Sequence, residues 1–173
     1  MFATIYLPDF YLQAALRHQP ELRAKPVALI DDQEKKALII QLNAAAKQTG
    51  VRSGMTPSQG LARCLQLVVK VRARSQEILL QGILLRFAGT LAPYVEETGP
   101  GISTVQFTDA RNVGTKVTRM IEQLADFEIT AQAGIAPIPD ASFLAAHLAN
   151  PILQIENVSE FLDALPIETL AIG

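Results

Sequence analysis

Apolar positions fall in short runs along this chain, and each run is closed by Pro, Gly, Asn or Asp. "MFATIYL" reads as a buried strand that breaks at Leu7-Pro8. "FYLQAALR" then carries a helix, with Pro8 suited to its first turn and Asp9 adding negative charge near its N-terminus. "KPVALID" (25–31) and "KALIIQL" (36–42) read as strands. "NAAAKQTG" (43–50) reads as a short helix that Asn43 can cap and Gly50 can end. After the loop "VRSGM", Thr56 at the N-cap and Pro57 behind it start another helix through "SQGLARCL". "QLVVKVRA" is a strand.

From Arg74 to about Leu91, the positions Ile78, Leu79, Gly82, Leu85, Phe87 and Leu91 recur at near-helical spacing, which predicts the longest helix. "YVEETGPGISTVQFT" (94–108) predicts two strands joined at Gly-Pro-Gly, or one strand bent there. Val113 to Phe127 is helical, "EITAQAGIA" (128–136) a strand, and "PDASFLAAHLA" an alanine-rich helix. "ILQI" is a short strand, and Ser159 to Leu165 a last helical turn. The tail "LPIETLAIG" looks like the approach to a further element. The order gives an α/β (α+β) fold: a ferredoxin-like βαβ plan with a small α/β block inserted after the first strand.

Composition narrows the class. The chain has 173 residues, 49% of them hydrophobic, with mean hydropathy +0.22, so a sizeable core can form. No apolar run approaches the ~20 residues of a membrane span, and no leader pattern opens the sequence. One cysteine, Cys64, excludes an internal disulfide framework and fits a reducing, cytoplasmic setting. Net charge is −2 and the pI about 5.7, unlike a free-standing nucleic-acid binder. Contact with nucleic acid would then be local.

Most chemical motifs are missing. Cys64, His18 and His147 stand too far apart in sequence for a structural zinc site, and His147 lies among alanines as a packing or surface residue. No phosphate-binding glycine motif occurs. Magnesium chemistry on phosphates needs converging carboxylates. Asp31-Asp32 reads as a solvated turn, Glu96 and Glu97 point to opposite faces of one strand, and Asp109 reads as local capping. Lys70, Arg72 and Arg74 alternate along "VKVRAR"; they are either a solvated edge or a strip that tracks phosphates.

Several segments together carry a resemblance. "DFYLQAAL", "RAKPVALI", "NAAAKQTGVRSGMTPSQGLARC", "VEETGPGISTVQFT" and "AQAGIAPIPDASFLAAHLANP" are similar, in order, to segments of the Y-family (UmuC-like) DNA polymerases, in particular their ImuB branch. "GVRSGM" and "AGIA…LAAHLANP" are the most specific pieces. The resemblance implies a palm-like domain over 1–9 and 75–166, a fingers-like domain over 10–74, and the start of a thumb at 167–173.

Carried over position by position, the family's metal-binding Asp falls on Tyr6 and its Asp-Glu pair on Gly101-Ile102. The Tyr and Arg that grip the triphosphate fall on Ala44 and Lys47, and the Lys of the late Lys-Pro on Asn150. Tyr11 matches the sugar-gating aromatic, with Phe10 before it. A phenol, a glycine and an aliphatic chain make no oxygen cage for Mg²⁺. The expectation is therefore a chain that binds no metal or cofactor and is not an enzyme. It would be a non-catalytic adaptor in damage-induced translesion synthesis, the alternative being an active Y-family polymerase with displaced ligands. The resemblance implies DNA as a partner, held weakly through Arg52, Ser53, Gly54, Lys70, Arg72 and Arg74. It also implies a sliding clamp, a RecA-like ImuA and an error-prone C-family polymerase, bound through regions beyond this chain.

Overall fold

A computed structural model describes residues 1–166; the expected thumb start at 167–173 lies outside them. The chain divides into two compact units, one of Met1–Pro8 with the chain from Gln81, the other Asp9–Leu80.

The first unit is built on a five-stranded sheet. Its strands are β1 (Phe2–Tyr6), β5 (Tyr94–Gly99), β6 (Ile102–Gln106), β7 (Gln132–Ala136) and β8 (Ile152–Gln154), in the order β5-β6-β1-β7-β8. β1 is central and antiparallel to both β6 and β7. With α4 (Arg74–Leu91) after β1 and α5 (Val113–Asp126) after β6, β1 to β7 follow the expected ferredoxin-like βαββαβ path. α6 (Pro139–Leu148) then crosses from β7 to the parallel β8, and α7 (Val158–Asp163) is the last element among the described residues.

Alternation along β1 explains its burial. Ala3 and Ile5 face one side with no exposure. α5 turns its buried stripe of Val113, Val117, Met120, Ile121 and Leu124 inward at helical spacing. Thr4 and Tyr6 face the other side, where α6 packs on β1 and β7. Gly134 makes that packing possible: a Cβ there would collide with the backbone of Ser142, Ala145 and Ala146.

The second unit holds a three-stranded sheet in the order β3-β2-β4, with β2 Val27–Ile30, β3 Ile39–Leu42 and β4 Val68–Val71. β2 is antiparallel to β3 and parallel to β4. α1 (Phe10–Leu16) buries Leu12, Ala15 and Leu16 against Val27 and Leu29. α2 (Ala44–Gln48) and α3 (Pro57–Arg63) complete the other core, around Ala28, Ile39, Leu42, Ala46, Val51 and Leu67. Thr56 and Gln59 form a reciprocal capping box at the start of α3.

Three local expectations are corrected. Pro8 lies before the N-cap and not in the first turn of α1, which begins at Phe10; Asp9 stands at the helix start as expected, as the N-cap residue with a left-handed φ of +49° and no side-chain cap bond. β3 begins at Ile39 instead of Lys36, because residues 32–37 are exposed and have no ladder partner among the strand pairings. β7 begins at Gln132, since Glu128 turns left-handed (φ +60°) and the Ile129 N–H closes back on Leu124.

Candidate functional site

At one end of the first unit's sheet, Tyr6 of β1 is paired with Ile102 of β6. The Leu7 N–H donates to the Gly101 carbonyl at 2.8 Å. Gly101 is buried in a left-handed turn (φ +72°) that glycine adopts without strain, and its N–H donates to Gln81 Oε1 at 2.8 Å. The three positions carried over from the family's metal ligands therefore lie together.

Aromatic rings pack beside Tyr6. The Tyr6 ring stacks on His147 of α6 with centroids 4.2 Å apart, and His147 meets Phe143 at 4.5 Å. His147 Nδ1 lies 2.9 Å from the Phe143 carbonyl. A carbonyl only accepts, so Nδ1 carries the proton and donates. The sequence alone marks His147 as a packing or surface residue; its spacing of four from Phe143 on one helix is the signal that pairs the two rings. Nearby, hydroxyls run in a line: Thr98 to Thr104 (2.7 Å), Thr104 to Thr4 (3.1 Å) and Thr4 to Ser142 (2.7 Å). Asn150 is exposed beyond α6.

These groups do not fit a divalent metal pair. Tyr6, Gly101 and Ile102 offer no carboxylate, and Mg²⁺ prefers hard anionic oxygens. Glu96 and Glu97 are exposed neighbours on β5, in register with Thr104 and Ser103 on opposite faces. Among the described residues no group of three or more His, Cys, Asp or Glu stands together.

In the second unit, Tyr11 walls an open cavity of about 790 Å³, together with Asp31, Lys36, Ile40, Gln41 and Arg72. Phe10 meets Tyr11 edge-to-face at 5.4 Å. The Arg72 guanidinium lies 4.0 Å above the Tyr11 ring. It donates to both Glu77 oxygens (3.0 and 2.6 Å) and to Asp31 (2.9 Å). Arg74 donates to both Asp31 oxygens at 2.7 and 3.0 Å. Asp31 is thus buried at the centre of an ion network and is not the solvated turn that its sequence suggests. Gln33's N–H, donated to Asp31, and the two guanidiniums beyond it hold the Asp31 carboxyl below its usual pKa. The hydrogen bonds that Arg72 donates to Glu77, and then the Glu77 charge, raise the pKa of Arg72.

The remaining candidates are more open. Ala44 and Lys47 are exposed on α2, and Lys47 reaches Asp9 at 3.9 Å with both side chains about half exposed (53% and 45%), an ion pair of little energy. Arg52, Ser53 and Gly54 form an exposed loop, with Arg52 folded back onto the Lys47 carbonyl at 3.2 Å. Lys70 donates to Gln19 at 2.9 Å. The three cations of "VKVRAR" therefore have different partners: Arg72 and Arg74 face carboxylates, and Lys70 a neutral amide.

The impB/mucB/samB family model matches residues 5–147. Among curated proteins, the DNA polymerase IV of Shewanella halifaxensis is 28% identical over 169 residues, covering 91% of this chain and 47% of that protein. The DNA polymerase IV of Pectobacterium atrosepticum is 27% identical over 176 residues, covering 93% and 48%. The chain spans about half the length of these curated relatives. Among solved structures, DinB from Sulfolobus solfataricus superposes with a TM-score of 0.85 at 16% identity, covering 99% of this chain and 54% of that one. An insertion ternary complex of Dbh DNA polymerase gives 0.86 at 17%, with the same coverage. The fold is that of the Y-family polymerase core, as the sequence segments suggested. The expectation that the chain is not an enzyme is corrected by the relatives, which are named as polymerases. That expectation followed from three positions alone, and the likeness extends over nearly the whole chain.

Proposed function

Because the chain belongs to the impB/mucB/samB family, we infer that it takes part in DNA synthesis, as the palm-and-fingers portion of a Y-family polymerase of the DNA polymerase IV type. The observation that carries this reading is the family match across residues 5–147, joined to relatives named DNA polymerase IV. The first unit serves as the palm and the second as the fingers. Tyr11 and Phe10 form the wall of the nucleotide pocket. Tyr6, Gly101 and Ile102 offer no carboxylate, so a catalytic metal would need ligands from outside these three positions.

DNA contact falls to the exposed loop Arg52-Ser53-Gly54 and to Lys70, whose charge no carboxylate offsets among its hydrogen bonds. Arg72 and Arg74 contribute less, since Glu77 and Asp31 already balance them. With a net charge of −2, this portion binds DNA weakly, and the rest of the full-length protein supplies most of the grip. The finer reading is synthesis across damaged template, with a sliding clamp, a RecA-like protein and a C-family polymerase engaged outside this chain.

The test is binding of a primer–template duplex by the full-length protein, followed by fluorescence anisotropy at rising salt. Affinity should fall by tenfold or more between about 50 and 200 mM salt. Absence of binding at the lowest salt contradicts the reading.

A further inference from the structure

Arg72 does something in the second unit that DNA contact does not require. Its Nε and both terminal nitrogens are occupied by Glu77 and Asp31. Its side chain is only 17% exposed. A guanidinium held this way is a flat, fixed cation with little rotamer freedom left. Its flat group lies 4.0 Å from the centre of the Tyr11 ring, a close cation–π distance. Phe10 meets the same ring edge-to-face. Tyr11 sits on the first turn of α1, where the Leu12 N–H is tied to Gln41 Oε1 at 2.8 Å. The ring of Tyr11 and the backbone N–H of the next residue are therefore anchored, and Tyr11, Gln41 and Arg72 all line the same cavity. A cavity of that size suits one small organic ligand.

We propose that Arg72 is a positioning residue: clamped by Asp31 and Glu77, it fixes the Tyr11 ring as a rigid wall of this cavity, and so sets how strictly the cavity separates a deoxyribonucleotide from a ribonucleotide. This rests on the reading that the chain handles nucleotides in DNA synthesis. The two ligands differ by one hydroxyl. A wall free to swing makes room for that atom; a pinned wall meets it with overlap. Arg72 acts through Tyr11 and touches no reacting atom.

The experiment uses the full-length protein with Arg72→Gln, Arg72→Lys and Tyr11→Ala. The Tyr11 ring resonances are followed by NMR, and affinities for a deoxyribonucleoside triphosphate and the matching ribonucleoside triphosphate by calorimetry. Arg72→Gln should shift the Tyr11 resonances and cut the deoxy-to-ribo affinity ratio about tenfold, toward that of Tyr11→Ala. Arg72→Lys keeps a cation over the ring and should retain most of the ratio. Unchanged resonances and ratio in Arg72→Gln overturn the proposal. If Arg72→Gln does not fold, Glu77→Gln loosens the clamp with Arg72 in place, and it must shift Tyr11 in the same direction; no shift there is equally fatal. A wild type that binds neither nucleotide defeats the reading of DNA synthesis and the proposed sugar selectivity, while the Tyr11 resonances still decide whether Arg72 holds the ring.

Discussion

The ring of Tyr6 lies on the ring of His147, centroids 4.2 Å apart and planes 26° from parallel. The contact joins the last residue of the central strand to the last turn of α6. Tyr6→Ala removes the stack and should lower stability by about 1–3 kcal/mol in urea unfolding. Tyr6→Phe keeps the ring and should cost clearly less. Equal losses in the two variants would mean that the stack contributes nothing.

Gly134 should tolerate no side chain. Its Cα faces the backbone of α6, and an added methyl would overlap Ser142, Ala145 and Ala146 with only main chain to yield. Gly134→Ala should therefore cost about 3 kcal/mol or more in denaturant unfolding, at the upper end of overpacking effects. A loss below about 1 kcal/mol would contradict the close approach of β7 and α6.

The hydroxyl line tests a buried polar network. Thr4 is fully buried and bridges Thr104 and Ser142. Thr4→Val keeps the shape but strands two partners, and should cost about 1–3 kcal/mol. Thr4→Val combined with Ser142→Ala should cost less than the sum of the single changes, because each removes the same bond. Strict additivity in calorimetric melts would refute the coupling.

Asp31 gives a pH signature. Its folded pKa is lowered from 3.8, by the Gln33 N–H and then by Arg74 and Arg72. A lowered carboxyl pKa stabilises the fold above the unfolded value and loses that stability as pH falls through the folded one. The stability gap between wild type and Asp31→Asn should be constant above about pH 5 and close progressively below 3.8. Urea unfolding across this range checks it. A gap that widens on acidification contradicts the assignment.

Much of the fold was legible because it is written locally. The Thr56-Pro57 start of α3 is a capping signal within four residues, and Gly99-Pro100-Gly101 separates β5 from β6 as a turn should. The ion network was not legible. Asp31 meets Arg72 and Arg74 from 41 and 43 residues away, and no local pattern announces a pairing of two loop-end segments. The role of His147 was hidden for the same reason: its partner Tyr6 is at the opposite end of the chain. Asp9 stands at the helix start as its residue type suggests, but its left-handed backbone and its approach to Lys47 are not written in the local sequence. The family positions could be found by order of segments, but three side chains were too few to decide activity against a likeness that spans the chain.

Template-directed primer extension by the full-length protein tests the central claim most directly. With a primer–template duplex, all four deoxyribonucleoside triphosphates and Mg²⁺ or Mn²⁺, the account predicts template-dependent addition of nucleotides to the primer. A pure, folded full-length protein that binds the duplex and adds none would contradict it.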